Sequence, residues 1–222
     1  MKPLIVVAII LALIIGLWII GRLTFTFRLS RVSTAANQPT LKLRQFFFTS
    51  NLKKPGRFNL ICYRALTPET GPTIWTHRLC GIPGDIIEIK AGILYVNQQG
   101  ADKDLSLMHV YKIPAQDTAG LIYDPKLAYT IPPYSDTIYI PLGDEYVRSN
   151  KIAGEQYILP PGLREPAIFR VYRENWNQDH FGPVKVPKGK FFVLGDNRID
   201  RMDSRYQGFI DQSTYMGTVL WK

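Results

Sequence analysis

Cysteine and histidine are scarce, with two and three copies in 222 residues, which leaves little material for a metal centre or a disulfide framework. Cys62 and Cys80 lack metal-ligand spacing and lie in apolar, strand-like runs, so they read as buried structural thiols or as one disulfide. His109 and His180 stand alone, and neither a metal nor another cofactor is expected. Acidic residues are missing altogether from positions 1–68, which hold ten Lys or Arg, whereas positions 69–222 hold seventeen against eighteen Asp or Glu. The net charge of +9 is therefore +10 in the first third and −1 in the rest. Internal repeats are absent, which excludes solenoids and collagen-like chains. Sixteen prolines and seventeen glycines interrupt the chain too often for a helical bundle, and 46% hydrophobic residues exclude wholesale disorder. What remains is an aromatic, turn-rich β domain, either one domain of ordinary size or a core with one insertion.

Long apolar runs are also missing, with one exception. Leu4 to Ile20 is seventeen uninterrupted apolar residues. With Pro3 and Gly21 it spans roughly 28 Å as a helix, just enough to cross a bilayer. A cleaved signal peptide would have a shorter apolar region, about 7 to 15 residues, closely followed by a small-residue site. Here Gly21-Arg22-Leu23-Thr24-Phe25 follows, and Ser33-Thr34-Ala35-Ala36 comes thirteen residues late. An uncleaved anchor is the expectation. The basic arm is then juxtamembrane, where each Lys or Arg contributes about 1 kcal/mol toward an anionic surface. Anionic membrane lipid is the expected partner. Nucleic acid is not, because residues 22–57 carry no recognised motif for it, although Phe25, Phe27 and Phe46 to Phe48 are interleaved. Lys2 opposes Arg22, Arg28 and Arg31 across the span, and the positive-inside rule would place the larger cluster in the cytoplasm.

Leu43 to Thr49 and Phe58 to Tyr63 read as strands, joined in a hairpin-like pairing by Asn51-Leu52-Lys53-Lys54-Pro55-Gly56. Trp75 to Leu79 is a further apolar run and Pro83-Gly84-Asp85 a turn. Ile87 to Lys90 and Ile93 to Val96 flank Ala91-Gly92 as a second hairpin. From Asn97 to about His180 the prolines recur, as at Ile131-Pro132-Pro133 and Leu159-Pro160-Pro161-Gly162, which suggests an inserted, loop-rich subdomain. A buried strand then returns at Lys190 to Leu194 and ends on Gly195-Asp196-Asn197.

Three segments together resemble the type I signal peptidases, membrane-anchored serine endopeptidases that remove signal peptides from exported proteins. Gly195-Asp196-Asn197, followed by Asp203-Ser204-Arg205 and Gly208, matches the family's G-D-N and D-S-R box in order and spacing. His77-Arg78-Leu79-Cys80-Gly81-Ile82-Pro83-Gly84-Asp85 is similar to its K-R-x-x-G-x-P-G-D box. Gln38-Pro39-Thr40-Leu41 matches the second half of its S-M-x-P-T-L box. The resemblance implies a mainly β protein: an anchor at 1–21, a basic linker at 22–32, an antiparallel core at 33–97 and 181–222, and an inserted β and loop-rich cap at 98–180. It implies a single-pass protein of the cell membrane with its β domain on the extracytoplasmic side. Signal peptides or exported preproteins are the implied partners, paired by β-addition along an edge strand, with Asn37, Gln38, Pro39 and Thr40 as substrate-binding candidates.

The departures fall on the chemistry. The family's nucleophilic serine stands three residues before the proline, where this chain has Ala36. A methyl group cannot form an acyl-enzyme. The methionine after the nucleophile is Asn37, and the general-base lysine of bacterial members is His77, as in relatives of the endoplasmic reticulum. An unperturbed imidazole titrates near 6.5 and is a competent base. Arg201 stands where some members orient the lysine with a serine, and a guanidinium there would disfavour imidazolium. Thr34 occupies an oxyanion-donor position, while Ser33 is roughly 10 Å from Ala36 along an extended chain. Asp203 and Arg205 form a supporting ion pair, or Asp203 orients His77 in a triad-like scheme; Asp196 and Asn197 support the site. Two readings follow: a silent paralogue that binds signal peptides or an active signal peptidase, or an active endopeptidase with His77 as base and an unrecognised nucleophile.

Overall fold

The computed structural model describes residues 3–24, 26–67, 71–130 and 136–221; Phe25 and the prolines of Ile131-Pro132-Pro133 lie outside them. Helix α1 (Pro3–Leu23) is apolar all round, so it has no core-facing stripe. None of the Pro3–Gly21 span is buried, and it is long and apolar enough to cross a membrane.

The chain then runs through β1 (Arg28–Arg31), β2 (Phe46–Ser50), β3 (Leu60–Thr67) and β4 (Gly71–Gly81). Next come β5 (Ile86–Lys90), β6 (Ile93–Val96) and β7 (Gln99–Gly100). The 98–180 segment holds β8 (Met108–Pro114), β9 (Thr137–Gly143), α2 (Asp144–Ser149), β10 (Glu155–Gln156) and α3 (Pro166–Tyr172). The chain closes with β11 (Phe181–Lys185), β12 (Lys190–Leu194), α4 (Ser204–Gln207), β13 (Ile210–Asp211) and β14 (Tyr215–Trp221). Three sheets result, ordered β1-β2-β14-β3-β4-β12-β13, β10-β8-β9 and β11-β5-β6-β7.

The hairpin at Ala91-Gly92 forms as its sequence predicts, with both residues at positive φ (48° and 80°) and Lys90 opposite Ile93. The pairing expected between 43–49 and 58–63 does not form. β14 lies between them, with Thr218 opposite Ser50 on one side and Ile61 on the other. Because β14 is antiparallel to both, β2 and β3 run parallel and the 51–59 connection is a crossover. Both strands also begin late, at Phe46 and Leu60, since Arg44 and Phe58 have φ of 67°. Residues 28–31, expected as linker, form β1, with Leu29 opposite Phe48 and Arg31 opposite Phe46.

The four-stranded sheet packs Ile87, Ile89 and Leu94 against Phe192 and Leu194 of the seven-stranded sheet. Ile168 of α3 joins this core, although the sequence reading assigns α3 to an inserted subdomain at 98–180. The three-stranded sheet has its own cluster of Tyr111, Ile113, Ile140 and Leu142 with Val147 of α2.

Candidate active site

A cleft of ≈ 1670 Å³ is walled by the 28–37 segment, by Thr73 to His77 of β4, by Tyr129 and Tyr157 of the insertion, and by the loop from Asn197 to Met202. β4 pairs with β3 from Gly71 to Arg78, whereas β12 joins it only from Arg78 onward. Among the described residues, 72–77 therefore line the cleft with no strand on their second edge, an arrangement open to β-addition except where the Thr76 carbonyl takes Asn37 Nδ2 at 2.6 Å.

The segment carrying Ala36 is held by the loop after β12. The Asn197 N–H donates to the Ala36 carbonyl at 3.0 Å, and Asn197 Nδ2 donates to the Ala35 carbonyl at 3.3 Å. A Cβ on Gly195 would stand 2.6 Å from the Ala36 carbonyl oxygen, so only glycine lets the two backbones approach this closely. Ala36 is 5% exposed, and Ser33, Thr34 and Asn37 line the cleft with it. Gln38, Pro39 and Thr40 do not. The chain folds back through Leu41 N–H to Asn37 carbonyl (2.8 Å), and Thr40 donates to Ser106 of the insertion at 3.3 Å. Of the four candidate substrate-binding residues, the structure brings Asn37 alone to the cleft.

His77 is 2% exposed, between Tyr63 and Trp75. Burial pushes its imidazole down to about 4, against the pull of the Asp203 and Asp196 carboxylates, and Arg205 lowers it further. The ring is neutral at neutral pH rather than poised near 6.5. Its Nδ1 lies 2.8 Å from the Tyr63 hydroxyl, and its Nε2 is buried with no partner among the described residues. Tyr63 escaped the sequence reading. In the β3–β4 register Tyr63 faces Trp75 and Ile61 faces His77, so Tyr63 and His77 are diagonal neighbours on one face, visible once the register is known.

Asp203 makes no hydrogen bond to His77. One oxygen takes the Arg205 N–H and Nε at 3.0 Å, and the other takes Arg205 Nη2 at 2.8 Å and the Gly195 N–H at 3.2 Å. Of the two roles open to it in the sequence, the geometry is that of the buried ion pair. Arg205 Nη2 also reaches the carbonyls of Arg198 and Asp200, bracing the loop. Asp196 clasps Arg78 through two bonds of 2.5 Å, which ties the loop to β4. Arg201 is not at the imidazole. It is 68% exposed and pairs with Glu165 at 3.5 Å, so the guanidinium that acts on His77 is that of Arg205.

The cleft thus brings together Thr34, Ala36, Asn37, His77 and Asn197, with Asp196, Asp203 and Arg205 as buried braces. No group with a nucleophilic lone pair occupies the Ala36 position. The family model for signal peptidase, peptidase S26, matches residues 3–222. The chain belongs to the signal peptidase family. Signal peptidase I P of Bacillus subtilis subsp. natto is 28% identical over 183 residues, covering 82% of this chain and 68% of that protein. Signal peptidase I T of Bacillus subtilis strain 168 is 62% identical over a 39-residue stretch, 17% of this chain and 20% of that protein. Among solved structures, a signal peptidase I from Enterococcus faecalis V583 is 22% identical with a TM-score of 0.38, covering 76% of this chain and 98% of that one. Signal-peptide processing is accordingly the functional class of this signal peptidase family member.

Proposed function

We propose that this signal peptidase family member is a membrane-anchored, catalytically silent paralogue that holds signal peptides or exported preproteins in the cleft without cutting them. The observation that carries the reading is the methyl group of Ala36 at the centre of an otherwise assembled site. The lowered basicity of His77, partnered by a phenol rather than a carboxylate, supports it. In this reading α1 crosses the membrane once, the β domain lies on the extracytoplasmic side under the 98–180 cap, and the basic arm meets anionic lipid. An active signal peptidase is a further partner. The open edge at 72–77 takes the peptide by β-addition.

The second reading is an active endopeptidase with His77 as base, and the observation in its favour is that the hydroxyl-bearing Ser33 and Thr34 line the same cleft. Cleavage of a membrane-presented preprotein by the purified full-length chain separates the two. The native chain is expected to leave the preprotein intact, Ala36→Ser to cut slowly, and Ala36→Ser with His77→Lys to cut fastest. Cleavage by the native chain, abolished by Ser33→Ala or Thr34→Val, would establish the second reading instead.

A further inference from the structure

Two buried polar atoms in the cleft have no partner among the described residues: Nε2 of His77 and Oδ1 of Asn37. Their residues are 2% and 4% exposed and line the same cleft as Ala36. Buried polar groups are almost always paired, so each marks the place of a missing partner.

The chemistry of each follows from its neighbours. Asn37 Nδ2 donates to the Thr76 carbonyl at 2.6 Å, which fixes the amide and leaves Oδ1 as an open acceptor. For His77 the partner that decides is Tyr63, itself 1% exposed, with its hydroxyl 2.8 Å from Nδ1. If Nδ1 carried the ring proton, the Tyr63 hydroxyl proton would be buried without an acceptor. With Tyr63 donating, its hydroxyl is satisfied and the ring proton resides on Nε2. A general base must present a lone pair at that atom; this histidine presents a proton. Through the Asn37–Thr76 bond the open acceptor is tethered one residue from the open donor. A donor and an acceptor lining one cleft complement the C=O and N–H of a polypeptide backbone. Both groups arise where the chain departs from the family's pattern, at the positions of its methionine and its lysine.

We propose that His77 Nε2–H and Asn37 Oδ1 hydrogen-bond a backbone C=O and a backbone N–H of an extended peptide in the cleft, with Tyr63 as the positioning residue that sets the His77 tautomer. This rests on the peptide-holding reading above and assigns the groups that do the holding.

The test uses the full-length chain in nanodiscs and a fluorescent synthetic signal peptide spanning a cleavage site. Beside it runs a set of the same peptide with single backbone esters, each replacing one N–H by oxygen. One ester is expected to weaken binding about tenfold to the native chain and to cost nothing further in the Asn37→Leu chain. Tyr63→Phe is expected to weaken the parent peptide similarly and to shift the His77 ¹⁵N resonances from the Nε2–H form toward a mixture. If the peptide binds but every ester binds equally well, or the ester penalty is unchanged in Asn37→Leu, the pair serves a bridging water and the proposal falls while peptide holding stands. Absence of any peptide binding removes both. An Nδ1–H tautomer in the unliganded native chain overturns the proposal without recourse to a variant.

Discussion

At the scale of single residues, the site is set by what surrounds His77 more than by His77 itself. A histidine in water is half protonated near pH 6.5, whereas this one is driven to about 4 by burial. The depressed value means that the unfolded chain binds the proton first as pH falls. Its contribution to stability is therefore complete above about 6.5 and is lost progressively down to about 4, on the order of 3 kcal/mol in all. Urea unfolding of the native chain and of His77→Gln at both ends of that window checks this: the loss on acidification is expected to be smaller by about that amount in the variant. Equal losses would place the imidazole in a wetter setting than the structure gives it.

At the scale of elements, the three family-like boxes of the sequence are one object. The loop after β12 grips β4 through Asp196 and Arg78, grips the Ala36 segment through Asn197, and is braced from within by Asp203 and Arg205. Gly195 is where two of these grips meet. Gly195→Ala would force its Cβ against the Ala36 carbonyl, and the backbone shift is expected to cost about 1–3 kcal/mol, read as a fall in melting temperature. Unchanged stability would show that the two segments can part freely. The hairpin at Ala91-Gly92 was legible because a two-residue turn is local chemistry. The insertion of β14 between β2 and β3 was not, because its partners lie more than 150 residues away and nothing in either strand's own pattern names them.

For the whole molecule, an exposed apolar helix is joined to a β domain whose two thiols are sealed inside. Cys62 and Cys80 are free and buried, which settles the sequence's alternatives in favour of structural thiols. Burial pushes them up to about 11 and about 12, so little thiolate exists at neutral pH. A maleimide is expected to label the native chain only after denaturation, checked by mass spectrometry; rapid labelling of the folded protein would contradict the packing. Neither thiol can report membrane sidedness, and a cysteine introduced at the exposed Leu52 serves that purpose instead.

Length, apolarity and the order of the boxes determined the N-terminal helix long and apolar enough to cross a membrane, the β class and the family, because these depend on local composition and on spacing along the chain. That Ala36 itself cannot act as a nucleophile was legible too, since a methyl is inert in any fold. Tertiary structure alone decided that Asp203 serves Arg205 and Tyr63 serves His77, that Arg201 faces Glu165, and that Gln38 to Thr40 turn from the cleft. Even the Asp203–Arg205 pair, two residues apart, was one of two roles the sequence left open, and the others depend on strand register and on how distant segments pack, none of which is written in the spacing of a motif.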